Sequence, residues 1–97
     1  MAPLKEPLSS NEARKLISRI VTHGDVVLWD HCKKELDEDD LDVMDVTNIL
    51  RCGRITEPAE YEKERWRYRV HTERMCAVVQ FDSEEELSVV TAWRKKR

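Results

Sequence analysis

Glycine is nearly absent: Gly24 and Gly53 are the only two in 97 residues. Two isolated glycines do not make a phosphate-cradling loop. Each instead follows a helical stretch, where a positive φ is wanted, so both are read as structural. Cysteine is scarce and badly spaced for metal. Cys32, Cys52 and Cys76 match no zinc pattern, and an odd number cannot pair fully. Buried or half-buried thiols are expected, with no metal and no cofactor. No apolar run approaches the ~20 residues of a membrane span. Met1 to Ser10 contains no apolar signal-peptide core. These absences predict a cytoplasmic protein with no membrane partner. There is also no internal repeat and no low-complexity tract.

Charge is what the chain has in quantity, at 38% of residues, and it is mixed in sign. That composition with 40% apolar residues fits one small globular domain over 1–97, with 1–8 as an extended leader containing Pro3 and Pro7. The net charge of −3 is unevenly spread. Residues 1–50 hold 6 Lys/Arg against 11 Asp/Glu, a balance of −5, with the acid concentrated in Glu35 to Asp45. Residues 51–97 hold 11 against 9, a balance of +2, and end Arg94-Lys95-Lys96-Arg97. An acidic helical end and a basic sheet end result, which is compatible with RNA on the sheet. The terminal cluster alone also fits a solvated tail.

Hydrophobic period orders the elements. Ser9 and Glu12 form a capping-box pattern, followed by Ala13, Leu16, Ile17, Ile20 and Val21 at helical spacing. Gly24 ends that helix as a left-handed cap. Val26-Val27-Leu28-Trp29 reads as a short strand. Asp30 is placed to cap a short helix through Leu36. Leu41-Asp42 opens another helix, with Val43, Val46, Ile49 and Leu50 facing inward and Gly53 at its end. From Arg54 the period becomes two. Arg54 to Tyr61 is an edge strand interrupted by Pro58, and Arg65 to His71 is a second strand. Met75 to Phe81 is an apolar central strand. Leu87 to Trp93 is the last, with Leu87, Val89, Thr91 and Trp93 on one side. Helices first and strands last predict α+β: N-terminal helices packed on one face of a C-terminal antiparallel β-sheet.

The strand Trp66-Arg67-Tyr68-Arg69-Val70-His71 alternates apolar and basic residues. Successive strand side chains point to opposite faces. Trp66, Tyr68 and Val70 therefore line one face; Arg65, Arg67, Arg69 and His71 line the other. A row of guanidiniums ending in an imidazole suits a phosphodiester. A solvated outer face is the competing reading. Trp29, Trp66 and Trp93 lie on the apolar phase of their strands, which favours core packing over base stacking.

The order of Val27-Leu28-Trp29, Asp30-His31, Leu41-Asp42, Leu50-Arg51-Cys52-Gly53-Arg54-Ile55, Trp66 to Val70 and Val89 to Arg94 resembles the DUF4258 family over roughly residues 25–94. This family is related to RelE-like toxins. With the leading helix Ser9 to Gly24, the chain also looks like the MqsR toxins. The resemblance implies a compact RelE-like α+β fold and a cytoplasmic protein of bacterial or phage origin. It implies an endoribonuclease toxin (an mRNA interferase) held inactive by a cognate antitoxin, with ribosome dependence left open.

Such toxins cleave mRNA without a metal, using the ribose 2′-OH as nucleophile. The 2′-OH must be deprotonated, the phosphate charge stabilised and the leaving 5′-oxygen protonated. Arg67 and Arg69 are the first candidates for phosphate. Arg67 falls where the MqsR pattern carries a polar active-site residue after the tryptophan. His71 is the acid–base candidate, since histidine titrates near neutrality. Arg94 or Lys95 matches a lysine near the MqsR C-terminus, and Lys95 joins the catalytic set. Arg65, Arg74, Arg94 and Arg54 are further RNA contacts. His31 stands where the DUF4258 pattern opens a helix with histidine; it is either an RNA contact or a histidine bonded to a backbone carbonyl. His23 suits a helix C-terminus. The tyrosine such toxins carry on the next strand is missing, since that segment reads Met75-Cys76-Ala77. Proton transfer then falls to His71 or to no residue. A non-catalytic RelE-like module binding protein or RNA is the alternative. The acidic stretch Glu35 to Asp45 is the sole support for a third reading, an antitoxin or small inhibitor.

Overall fold

The computed structural model describes residues 4–95; Pro3, Lys96 and Arg97 lie outside the described residues. The elements run α1 (Ser10–His23), β1 (Asp25–Leu28), α2 (Asp30–Glu38), α3 (Val43–Cys52), β2 (Glu60–Glu62), β3 (Arg65–His71), β4 (Met75–Phe81) and β5 (Glu86–Arg94). The strands form one sheet in the order β1-β5-β4-β3-β2. The arrangement is α+β, but the sheet is mixed. β1 pairs parallel with β5, while the other neighbours are antiparallel. The parallel pair arises because α2, α3 and the other strands all intervene before the chain returns beside β1.

The expected capping box is present, and a second one opens α3. Ser9 and Glu12 exchange hydrogen bonds at the start of α1, and Asp42 and Asp45 do so at α3. Asp30 does not cap α2; Trp29 holds that position and offers no side-chain bond. α2 continues the line of β1 along β5. The Trp29 N–H donates to the Val89 carbonyl, and the Arg94 N–H donates to Asp39 Oδ2 at the far end. Cys32 and Leu36 of α2 join the core with Ala13, Ile17 and Ile20 of α1 and Val46, Ile49 and Leu50 of α3. Val43, expected inward, is 58% exposed at the first turn of α3, where the buried stripe of Val46, Ile49 and Leu50 has not yet begun.

Neither glycine has a positive φ, contrary to expectation. Both are required by close approach instead. A Cβ on Gly24 would lie 2.2 Å from the Glu85 carbonyl oxygen, and one on Gly53 would lie 2.5 Å from Val70 Cγ1. The expected strand from Arg54 to Tyr61 contracts to β2 and one Arg54–His71 bridge, with Pro58 between. Lys63 and Glu64 turn β2 into β3 with φ of 50° and 65°, the left-handed geometry of a two-residue hairpin.

β5 contains an extra residue at Val90. Val78 pairs with Thr91, but Val79 pairs with Val89. A bulge reverses the strand's phase. Leu87 and Val89 before it and Ala92 after it face the helices. Thr91 and Trp93 therefore face away, which corrects the expectation that they share a side with Leu87. The leader is tied down: Tyr68, 1% exposed, donates its hydroxyl to Glu6 Oε2 at 2.8 Å and accepts from the Leu8 N–H at 3.0 Å.

Two outcomes follow from this packing. Gly53→Ala forces a methyl into backbone and Val70, and costs about 1–3 kcal/mol in urea denaturation. Cys52 is exposed while Cys32 and Cys76 are buried, with burial pushing both of the latter thiols up to about 11. A thiol reagent at neutral pH should modify Cys52 alone in native protein, and all three cysteines only after denaturation.

Candidate active site

Burial of Tyr68 and Val70 under the helices turns the alternate residues of β3 outward. The helix-free side of the sheet thus carries Arg65, Arg67, Arg69 and His71. The Arg54 N–H donates to the His71 carbonyl at 2.7 Å, and the Arg54 carbonyl accepts from the His71 N–H at 2.8 Å. His71 stands opposite Cys76, and Cys76 opposite Trp93. Cross-strand partners share a face, so Arg54, His71, Cys76 and Trp93 form one row. Lys95 follows, its Nζ donating to the Thr72 carbonyl at 2.8 Å. Arg54, Glu57, His71, Thr72 and Lys95 line an open cleft of about 340 Å³.

The closest polar contact in the cleft joins His71 Nε2 to Glu57 Oε1 at 2.6 Å. A carboxylate accepts only from a protonated nitrogen, so Nε2 carries hydrogen in this contact. The Thr56 hydroxyl donates to the same Oε1 at 2.8 Å. That bond foremost, with His71 and Arg69 adding to it, holds the Glu57 carboxyl below the usual carboxylate range against the opposing effect of burial. Glu57 Oε2 makes no hydrogen bond among the described residues. His71 Nδ1 is buried without a partner among them. Arg54 makes no side-chain hydrogen bond or ion pair among the described residues. Cys76 is fully buried, and its raised thiol stays protonated near neutrality, despite the opposing pull of Lys95 and Arg69.

Of the residues expected to be functional, His71, Lys95 and Arg54 meet at this cleft. Arg69 lies beside it, close enough to lower the Glu57 acid, with its Nε 3.5 Å from Glu60. Arg67 is drawn elsewhere. Its side chain is 10% exposed, its guanidinium sits 5.7 Å from the Trp29 ring centroid, and Nη1 is 3.6 Å from Glu62. Arg65 is tied to Asp82 and the Phe81 carbonyl. Arg94 pairs across from Met75, which packs on the core, so it lies on the helix side of the sheet. There its side chain donates to the Asp39 and Asp40 carbonyls. Arg74 is exposed at the β3–β4 turn. His31 contacts Glu35 one helical turn on and does not line the cleft.

Glu57 is the residue that sequence reasoning missed. It sits in a loop before Pro58, and only the Arg54–His71 bridge, a long-range contact, brings it to the histidine. Among the described residues no group of three or more His, Cys, Asp or Glu is arranged to hold a metal ion. No helix among them is long and apolar enough to cross a membrane.

With this geometry in view, the relationship to known proteins is narrow. Residues 28–94 match the family described as Domain of unknown function (DUF4258), and the chain belongs to it. No curated protein and no solved structure matches the chain.

The different settings of Arg67 and Arg69 are measurable. Arg67→Ala strips a packed stem and a cation–π contact, and should cost about 1–2 kcal/mol in urea denaturation. Arg69→Ala, at a 44% exposed side chain, should change stability by less than about 0.5 kcal/mol. Equal losses would contradict the structural role of Arg67.

Proposed function

We propose that this chain is an endoribonuclease that cleaves mRNA through the ribose 2′-OH without a metal, as a bacterial cytoplasmic toxin of the RelE-like and MqsR-like kind. The observation that carries the reading is the Glu57–His71 contact at 2.6 Å, set between Arg54 and Lys95 in an open cleft. The cleft contains an acid, a base and cations within one small volume, the groups that transesterification of RNA demands.

The steps assign as follows. The 2′-oxygen attacks phosphorus while its proton passes to the Glu57 carboxylate. The P–O5′ bond breaks, and His71, in its imidazolium form, passes its Nε2 proton to the departing 5′-oxygen and is left as the neutral imidazole. The products are a 2′,3′-cyclic phosphate and a 5′-hydroxyl. Entry of the phosphate opens the Glu57–His71 bond and frees both groups. Arg54, Lys95 and Arg69 oppose the charge that builds on the phosphate. A cognate antitoxin would be the natural regulator, and the exposed edge of β2 offers backbone groups for strand addition by an extended segment.

One observation favours a second reading, a non-catalytic module binding protein or RNA. Arg65, Arg67 and Arg69 each face a carboxylate, from Asp82, Glu62 and Glu60 respectively. These contacts shield much of the strand's positive charge.

Purified protein incubated with RNA separates the two. The ribonuclease reading expects cleaved RNA with cyclic-phosphate and 5′-hydroxyl ends. His71→Ala and Glu57→Gln should each lower the rate by about 10²–10⁴-fold with circular dichroism unchanged. Intact RNA from folded parent protein would move the assignment to the module.

A further inference from the structure

The three tryptophans occupy different settings. Trp66 packs on the core and meets Tyr61 edge-on, with ring centroids 5.0 Å apart. Trp29 also packs on the core and lies beneath the Arg67 guanidinium. Trp93 has neither support. Among the described residues it has no aromatic or cation–π partner, and it is not one of the partly buried apolar side chains packed on the core. It is only half-buried.

Its position is a product of the Val90 bulge. Without the extra residue, Trp93 would share the face of Leu87 and Val89, both fully buried. With it, Ala92 takes the core position and the indole turns to the side that holds His71. A large aromatic side chain is thereby withheld from the core and placed in the row Arg54–His71–Cys76–Trp93. Only β4 separates Trp93 from His71, a backbone distance of two strand spacings, roughly 9–10 Å. Cys76, the residue between them, is small and fully buried.

We propose that Trp93 is a stacking platform for a nucleobase of single-stranded RNA, next to the phosphate held at His71, Arg54 and Lys95. This inference rests on the ribonuclease reading of the cleft and adds a substrate class to it. A base presents a free π-face only when it is unstacked from its neighbours. Duplex RNA offers no such face, so the site selects single strands. Trp93 is a positioning residue: it orients the nucleotide and takes no part in proton transfer.

The test uses the full chain and a single-stranded oligoribonucleotide with 2′-O-methyl groups, which binds without being cut. In the variant Trp29→Phe/Trp66→Phe, Trp93 is the sole tryptophan. The oligonucleotide should quench its fluorescence, and the same sequence as a duplex should not. In the otherwise native chain, Trp93→Ala should weaken single-strand binding by about 5- to 150-fold. Trp93→Phe, which keeps an aromatic face, should recover part of the loss. Cleavable RNA should show the Trp93→Ala defect mainly in KM, whereas His71→Ala acts on kcat. Unchanged affinity in Trp93→Ala, or equal quenching by duplex, would overturn the proposal. Should the double variant fail to fold by circular dichroism, the affinities of the two Trp93 variants decide alone. Quenching with no cleavage of ordinary RNA would leave the stacking site standing and remove the ribonuclease reading. Absence of any RNA binding would remove both.

Discussion

Burial of Tyr68 and Val70 fixes the phase of β3, and the open face follows from that phase. Val70 lies against Gly53, where α3 comes so close that a methyl group would not fit. Tyr68 fills the core and ends in a hydroxyl bonded to Glu6 and Leu8. With these two side chains fixed, Arg65, Arg67, Arg69 and His71 have no choice of side. A one-residue slip would bury three guanidiniums against Ile49 and Leu50, which no pairing in that core would offset.

The basic face is less basic than its composition suggests. Glu57, Glu60 and Glu62 lie along the neighbouring segment and meet His71, Arg69 and Arg67 in turn. Such contacts at half-exposed side chains contribute little to stability. Their larger effect is on the field that an approaching polyanion meets. Among the described residues Arg54 is the exception at the cleft, and Lys95 Nζ is engaged there by the Thr72 carbonyl alone. The cations least engaged by carboxylates thus stand at one end of the strand, beside the imidazole, in a cleft that Glu57 and Glu73 also line.

Much of the architecture was legible in the chain. Ser9 with Glu12 and the Leu41-Asp42 start are local signals, and both helices begin where those residues put them. The alternation from Trp66 to His71 is also local, and the strand follows it. What escaped was non-local or irregular. The parallel partnership of β1 with β5 joins segments about sixty residues apart, and period alone does not say which strands will meet. The bulge at Val90 adds one residue to an apolar run in which either phase looks hydrophobic, so period alone does not put Thr91 and Trp93 on the helix-free side. The β2–β3 turn uses Lys63 and Glu64 at positive φ, without the Asn-Gly signal that marks such turns. In the cleft, His71 and Lys95 stood out by chemistry, whereas Glu57 had no local pattern to reveal it.

The tether between the leader and Tyr68 also redraws the unit that folds. The family match covers 28–94, yet Ala13, Ile17 and Ile20 of α1 are fully buried outside it. Removing everything before Leu28 would strip one wall from the core and three of the four residues of the parallel strand. It would also leave a deeply buried phenol with nothing to bond. In this protein the family segment is a surface-bearing portion of a larger body that shares one core with the first helix. The first helix serves as its lid, closing the interior from the side opposite the cleft.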